Sequence, residues 1–527
     1  MKHWLDEVAD ILKSDVTDLR ELAKMAGAKP EGFYIGANMD GVDVSGQDIR
    51  GLKFTDLESA IIKIDDGTVF DDDFAQKVRG LSDNTEIGSA VVLESDHDLR
   101  ADFGYKGPVV AAVDLGASKV TCFIMKADGV RRGDRTLTTA GVGYVQSRGV
   151  RGGSIVNLDE ASEAIAQAVE RAENVAGVNV QSVTVATAGG QLTSNRVAGR
   201  VSIGARPISD HDLVRAISNA LAQIKLPGRR AAHILPISWS VDGQGGVRDP
   251  RAMFGRTLGV ELLVVSVSEA VFQTLGACVE RAHLQFEGVV AAPFVSALAA
   301  LEEDEMDLGS VCIDMGGGST SAAVFTSGSL VHVETVPVGG QHVTQDIARG
   351  LSTSIAGAER IKTLHGSAIA SANEDREMIE APPRGDDPGA GPVIAPRSLL
   401  KGIIAPRVEE TLELLRDRLK NSGAPVEPGA GLVLTGGASQ LAGVREVAVR
   451  VFDRPVRLGR PRRVPHLADA ASGPAFTAAA GILHRAAFGP REAVSAKALA
   501  SAKLRREPLD PRANPVAKAA SWLRENL

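Results

Sequence analysis

Two aspartates, Asp114 and Asp314, each close a short apolar run and each precede a turn of small residues. Around the second, Val311 to Phe325 reads VCIDMGGGSTSAAVF. Val311, Cys312 and Ile313 lead to Asp314, then come Gly316, Gly317 and Gly318, the hydroxyls Ser319 and Thr320, and another apolar run. Two strands joined by a three-glycine turn explain that order. Glycines remove every Cβ, so peptide N–H groups can approach an anion closely. Ser319 and Thr320 add hydroxyl donors, and Asp314 at a strand's end could hold a hydrated divalent cation. An ordinary hairpin with a glycine turn has the same order, so this stretch alone does not decide. A first copy, VVAAVDLGASKVTCFIM from Val109, stands 200 residues earlier, with Asp114 and a turn at Gly116-Ala117-Ser118-Lys119. Duplicated hairpins could clasp one nucleotide from both sides, each covering phosphates and each offering an aspartate to magnesium. A third piece, Gly431 to Phe452, predicts an apolar strand, Gly436-Gly437 and an amphipathic helix. Glycines at that bend would let an adenine ring lie against bare backbone.

The elements that position these residues belong to a long chain. At 527 residues it exceeds one core and predicts three or more domains. Hydrophobic residues at 44% and charged residues at 24% fall in the range of soluble globular proteins. No run of about 18 apolar residues exists, so no spanning helix is expected, and the acidic, periodic MKHWLDEVAD is not a secretion signal. Cys122, Cys278 and Cys312 sit among apolar neighbours at no metal-ligand spacing, and read as core residues of a reduced, cytoplasmic protein. The net charge of −8 is segregated: residues 1–107 hold 23 acids against 12 bases, while 491–527 hold eight bases and four acids. Different partners at the two ends are expected.

Residues 3–27 carry helical spacing. Met39, Val44, Ile49 and Phe54 then recur every five residues, which resembles pentapeptide-repeat proteins, though four repeats make only about one coil. A docking module and a plain structured extension both fit this pattern. From Asp65 to Gly107 acids and glycines predict loop or linker.

The paired hairpins, the Gly436 bend and an AE-x-x-K segment (Ala358, Glu359, Lys362) together resemble the actin, hexokinase and heat-shock-chaperone ATPase superfamily. Within it, SRGVRGGSIVNLDEASEAIAQAVERAENVAG (147–177), GGVRDPRAMFGRTLGVELLVVSVSEA (245–270) and VETVPVGGQHVTQDIARGLSTSIAGAERIKTLHGSA (333–368) look like FtsA, the actin-like family of bacterial cell division. The resemblance covers about 109–527 and leaves out 1–107. It implies an α/β, actin-like (ribonuclease H-like) two-lobed ATPase fold with a small α/β domain inserted in the first lobe. The expected division is an acidic extension over 1–107, first lobe over 108–188 and 267–309, and the inserted interaction domain over 189–266. The second lobe with returning helices takes 310–489, a basic tether 490–513, and an amphipathic membrane-targeting helix 514–527. Ser209-Asp210 supplies a plausible cap for a helix within the insertion.

Residue by residue, the resemblance implies phosphate contacts from Gly116, Ala117, Ser118 and Lys119 and from Gly316, Gly317, Gly318, Ser319 and Thr320. Asp114 and Asp314 would hold Mg2+ through water, and Gly339 and Gly340 would close over the phosphates. Glu359 and Lys362 would meet ribose and adenine, and Gly436, Gly437 and Ala438 would back the nucleoside of ATP. Ala117 departs from the Thr or Ser common at its turn, which removes one hydroxyl; for Lys119 and Lys362 the lesser alternative is a solvated strand-edge or helix lysine. Hydrolysis needs a group that positions the attacking water, and the connecting segment VVAAPFVSAL holds no carboxylate, so tight binding with at most weak turnover is expected.

After Pro490 a proline-punctuated, basic stretch reads as a tether. In PVAKAASWLRENL, Val516, Ala519, Ala520, Leu523 and Leu527 share one helical face with Trp522 at its margin, flanked by Lys518 and Arg524. That suits an interfacial helix on anionic lipid, the family's membrane anchor, and a polymer of such tails would bind firmly through avidity. The resemblance further implies filaments of the chain itself, tethering of the tubulin-like FtsZ ring at the cytoplasmic face of the inner membrane, and recruitment of other division proteins by the inserted domain. A pilus-assembly actin homologue acting as a soluble assembly factor is the alternative within the fold. A small-molecule kinase would need a catalytic base and a sugar-binding insertion, and a chaperone a substrate domain. Arg454, Arg457, Arg460, Arg462 and Arg463 lack aromatic interleaving and read as surface or lipid-facing bases, so no nucleic acid is expected.

Overall fold

The computed structural model describes residues 109–128, 136–189, 191–370, 376–384, 391–462, 464 and 466–488. The predicted N-terminal helix, period-five segment and linker, the basic tether and the terminal helix lie outside the described residues. Among those described, no helix is long and apolar enough to cross a membrane.

The first lobe opens with an antiparallel meander: β1 (Val109–Leu115), β2 (Lys119–Asp128) and β3 (Thr136–Gln146). A two-residue hairpin, β4 (Val150–Arg151) and β5 (Ser154–Ile155), precedes α1 (Leu158–Ala176). Asn157 caps α1, its Oδ1 accepting from Asp159 N at 3.1 Å and Glu160 N at 3.3 Å, and Gly177 ends it at φ 63°. The buried face of α1 is mostly alanine because it lies directly on Gly141 and Gly143 of β3. A Cβ at either glycine would come within 2.2 Å of the helix's carbonyl oxygens at Ala172 and Ala168. The chain then returns in β6 (Ser182–Thr187), parallel to β1.

The insertion follows: β7 (Thr193–Pro207), α2 (Asp210–Leu221), β8 (Arg229–Val241), β9 (Gln244–Val247) and β10 (Phe254–Ser268). Its four strands form one antiparallel sheet in the order β7-β10-β8-β9, covered by α2. Arg229 staples the two crossovers to the first lobe, donating to Gln191 O at 2.5 Å and to Ser266 O at 2.9 Å. Arg230 grips Glu269 from two nitrogens, at 3.1 and 2.9 Å.

Back in the first lobe, α3 (Glu269–Arg281) leads to β11 (Gln285–Ala291), α4 (Ala292–Ala300) and a short α5 (Glu303–Leu308). The second lobe repeats the meander as β12 (Ser310–Met315), β13 (Thr320–Thr326) and β14 (Ser329–Val336). Then come α6 (Gly340–Gly350), α7 (Ile355–His365), the hairpin β15 (Met378–Ala381) and β16 (Val393–Pro396), and α8 (Arg397–Asn421). The series ends with β17 (Gly431–Thr435), α9 (Val444–Phe452), β18 (Val456–Leu458) and α10 (Thr477–Phe488).

The two main sheets have one topology, β3-β2-β1-β6-β11 and β14-β13-β12-β17-β18. In each, three antiparallel strands are followed by two parallel ones reached through helical crossovers. This is the actin-like, duplicated α/β fold with an inserted domain.

Strand period divides the core in two. On β12, Val311, Ile313 and Met315 face the second-lobe core, whereas Cys312 faces the first. The same alternation turns Asp314 toward the first lobe, hence toward the cleft. The structure refines the sequence expectation at three points. The bend after β17 continues as a 3-10 turn, Gly437–Gln440, and α9 begins only after Gly443 at φ 82°. The last helix, α10, lies within the 310–489 block yet buries Ala478, Ala479, Ala480, Ile482 and Leu483 in the first-lobe core. Its Gly481 crosses α4 so closely that a Cβ would sit 1.8 Å from Val295 O.

The third point concerns the arginines read as surface or lipid-facing bases. Arg454 donates to Glu427 O at 2.7 Å and to Ala430 O at 2.9 Å. Arg457 donates to Ala300 O at 2.8 Å and pairs with Glu305, and Arg462 lies 3.3 Å from Glu302. They brace the β18 region against the lobe connection; Arg460 is exposed and Arg463 lies outside the described residues.

The insertion also meets the second lobe. On the β14 edge, Val333 N donates to Ser194 Oγ of β7 at 3.1 Å, and the same hydroxyl reaches Val333 O at 3.2 Å. Arg196 donates to Val331 O at 3.3 Å, and Ser329 Oγ to Ile237 O at 3.0 Å.

Candidate nucleotide and cation site

The two turns are built alike. Gly116 N donates to Lys119 O at 3.1 Å, and Gly316 N to Ser319 O at 2.9 Å. Asp114 pairs with Thr121 across its hairpin, and Asp314 with Ser321. The 200-residue offset therefore holds in register and hydrogen bonding through the turns, making Ala117 the counterpart of Gly317 and Ser118 that of Gly318. The turns also touch one another. A Cβ at Gly317 would lie 2.0 Å from Ser118 Oγ, and one at Gly318 would lie 2.8 Å from Ala117 Cβ. Gly317 and Gly318 are therefore needed here for contact between lobes as well as for approach to an anion. Ala117, buried against Gly318, has no room for a larger side chain, while Ser118 keeps a hydroxyl on the facing turn.

Gly339 and Gly340 pack on the outer side of the second turn. A Cβ at Gly339 would meet Gly316 O at 2.5 Å and Gly317 O at 2.8 Å. Gly340 N and Gln341 N donate to those carbonyls at 3.0 and 2.8 Å. The start of α6 thus takes up the turn's carbonyls and leaves its amide side directed elsewhere.

Asp114 and Asp314 stand at the ends of β1 and β12, each partly shielded at the base of the cleft. Burial first, then the Asp314 charge, pushes the Asp114 carboxyl up to about 7, with Lys119 pulling the other way. Burial likewise raises Asp314, opposed by a hydrogen bond from Ser296 and by Lys119. Ser296 Oγ donates to Asp314 Oδ2 at 2.6 Å, and the other oxygen, Oδ1, lies against Gly436, where a Cβ would be 2.3 Å away. Burial lowers the Lys119 ammonium to about 8 although both aspartates oppose that shift. Its Nζ sits 3.2 Å from the centre of the Phe476 ring, a cation–π contact, so Lys119 is no solvated strand-edge lysine. Phe476 is held in turn by Phe123, with ring centres 6.0 Å apart, and by Tyr144 at 5.5 Å.

Lys362 is equally fixed. It donates to Glu359 Oε2 at 2.7 Å, Thr344 Oγ1 at 2.8 Å and Gly340 O at 3.2 Å, and Thr344 Oγ1 donates to Glu359 Oε2 at 2.5 Å. The Gly436 bend, at φ 84°, closes the set: Gly436 N donates to Pro474 O at 3.1 Å, and Ala438 Cβ lies 3.1 Å from where a Cβ on Gly340 would stand. The predicted nucleotide and cation residues fall in one connected region, but Thr320 is fully buried and donates its hydroxyl to Val338 O at 2.7 Å, so that hydroxyl is not turned to a phosphate. Val516, Lys518, Trp522, Leu523, Arg524 and Leu527 lie outside the described residues.

Four residues of the region were not singled out in the sequence: Ser296, Gln341, Thr344 and Phe476. Ser296 carried a readable signal, as the one hydroxyl in the apolar APFVSALAA helix.

Chemically, two carboxylates and an ammonium near bare amides suit a polyanion carried with a cation. Among the described residues no group of three or more His, Cys, Asp or Glu gathers. Two carboxylates are too few to enclose an ion and fit a hydrated Mg2+ that keeps its waters.

Comparison with known proteins bears on this region. A family model described as cell division protein FtsA matches residues 311–481, and one for the SHS2 domain inserted in FtsA matches 189–266. Three relatives are each named "Cell division protein FtsA". That of Rhizobium meliloti is 43% identical over 381 residues, covering 71% of this chain and 86% of the relative. That of Pseudomonas aeruginosa is 34% identical, covering 72% and 89%. That of Escherichia coli is 30% identical, covering 71% and 90%.

Proposed function

The chain belongs to the FtsA family of cell-division proteins, and from that premise we propose that it binds ATP with Mg2+, polymerises, and tethers an FtsZ ring to the cytoplasmic face of the membrane. The observation that carries the reading is the pair of equivalently hydrogen-bonded turns with Asp114 and Asp314 beside Lys119. In this reading the turn amides hold phosphate oxygens and Lys119 balances their charge. The two aspartates hold water molecules of the Mg2+, whose charge favours their ionised form and screens the phosphates. Glu359, Lys362, Gly436, Gly437 and Ala438 flank the nucleoside.

Turnover is slow on this view. Ser296 is the one polar side chain of α4, and its hydroxyl is directed at Asp314, so that helix contributes no base to orient water. Nucleotide then governs assembly more than it drives work. The inserted domain, joined to both lobes, is the surface offered to other division proteins. The terminal segment with Val516, Trp522, Leu523 and Leu527 on one side and Lys518 and Arg524 beside it serves as a reversible lipid anchor, strengthened by avidity in a filament.

Sedimentation with anionic liposomes, with and without Mg-ATP, tests this. The intact chain pellets with lipid and pellets more with nucleotide, while a chain ending at Arg512 and the Trp522→Glu variant stay in solution. Equal pelleting of all three, or of none, refutes the anchor.

A further inference from the structure

One side chain joins the two turns. Gln341, the second residue of α6, donates from Nε2 to Ala117 O of the first-lobe turn at 2.9 Å. Its own backbone N–H donates to Gly317 O of the second-lobe turn at 2.8 Å. Ala117 and Gly317 are the equivalent positions of the duplicated hairpins, so a single residue holds the same carbonyl of both. In a planar trans peptide the C=O and the following N–H point in opposite directions. Drawing both carbonyls toward α6 therefore aims the Ser118 and Gly318 N–H groups away from it, as a matched pair.

We propose that Gln341 is a positioning residue for the terminal phosphate of a nucleoside triphosphate. The inference rests on the nucleotide-binding reading and adds a role that does not require Gln341 to touch the ligand. A phosphate held by amides of both turns depends on their mutual alignment, and the Gln341 bond exists only when the lobes are closed on each other. A diphosphate, one group shorter, relies chiefly on one turn and depends less on that alignment. Gln341 thus makes closure and triphosphate recognition a single event.

The test compares ATP and ADP affinities, both with Mg2+, for the full chain and for Gln341→Met and Gln341→Glu. Methionine keeps the length without a donor; glutamate sets an acceptor against the Ala117 carbonyl. Gln341 is only half-buried, so both variants are expected to fold, which circular dichroism checks. The expected result is ATP binding weakened about five- to tenfold in the Met variant and further in the Glu variant, with ADP affinity changed by less than about twofold. Unchanged ATP affinity in both variants, or equal losses for ATP and ADP, overturns the proposal while leaving nucleotide binding intact. A wild-type chain that binds neither nucleotide overturns the functional reading itself, and this inference with it.

Discussion

Ser296 sits on a helix whose nine residues are all buried, and it gives its only hydrogen to Asp314. Removing that donor leaves a carboxylate with less reason to stay ionised and less restraint on its rotamer. Ser296→Ala should weaken Mg2+-dependent nucleotide binding about three- to tenfold, the worth of one hydrogen bond, while binding without Mg2+ changes little. Calorimetric titration with and without Mg2+ reads this, and an equal loss in both arms would make the bond merely structural. Asp114 and Asp314 were legible in the sequence because strand period and a following small-residue turn are local features. Ser296 left only the signal of a lone hydroxyl in an apolar helix, and Phe476 left none, because it acts through a contact with a distant part of the chain. Phe476 stands more than 350 positions from the Lys119 ammonium it supports.

At the scale of elements, the helix of the inserted domain shows how far a local reading reaches. The sequence offered Ser209-Asp210 as its cap. Ser209 is the cap position, but Ser209 N and Oγ donate to Asp212, at 2.9 and 2.7 Å, and Asp210 instead accepts from Arg251 at 2.6 Å. Arg206 adds two bonds of 2.7 Å to Asp212. Burial alone would raise the Asp212 carboxyl, but Arg206 and Ser209 outweigh it and hold it down at about 2. A carboxyl depressed in the folded state adds stability above its unfolded pKa, near 4, and loses it as pH falls toward 2. Chemical denaturation between pH 5 and pH 2 should therefore show a loss of about 1 kcal/mol from this group, discounted because Arg206 is half-exposed. Asp212→Asn should flatten that part of the profile; an unchanged profile would show that the network does not titrate with folding. The alanine face of α1 and the glycines of β3 were visible as residues, but their mutual fit is a tertiary fact that spacing does not carry.

For the whole molecule, the proposed function gives the two lobes one cation site, with one aspartate from each. At about a hundredfold excess over its dissociation constant, Mg-ATP should add about 2.7 kcal/mol to stability, seen as a raised melting temperature. Asp114→Asn and Asp314→Asn should each abolish most of that rise, and the double variant should do no worse than either, since one site is lost once. Without ligand Asp114→Asn should melt no lower than wild type, because burial and the Asp314 charge both disfavour the carboxylate it removes. Additive losses would mean two separate sites. The duplicated fold was legible from paired motifs and a returning helix was expected, whereas the close crossing of α10 on α4 at Gly481 was not, since backbone-to-backbone contact between distant helices leaves no spacing in the sequence. One contact between the insertion and the second lobe has a bearing on solubility. An exposed sheet edge invites any extended chain to continue the ladder, which is how filaments of misfolded protein begin. Because a serine hydroxyl of β7 occupies the N–H and C=O of Val333, the β14 edge is blunted there by a side chain instead of a strand. One sheet edge is thereby kept from joining copies of the chain through an unplanned ladder.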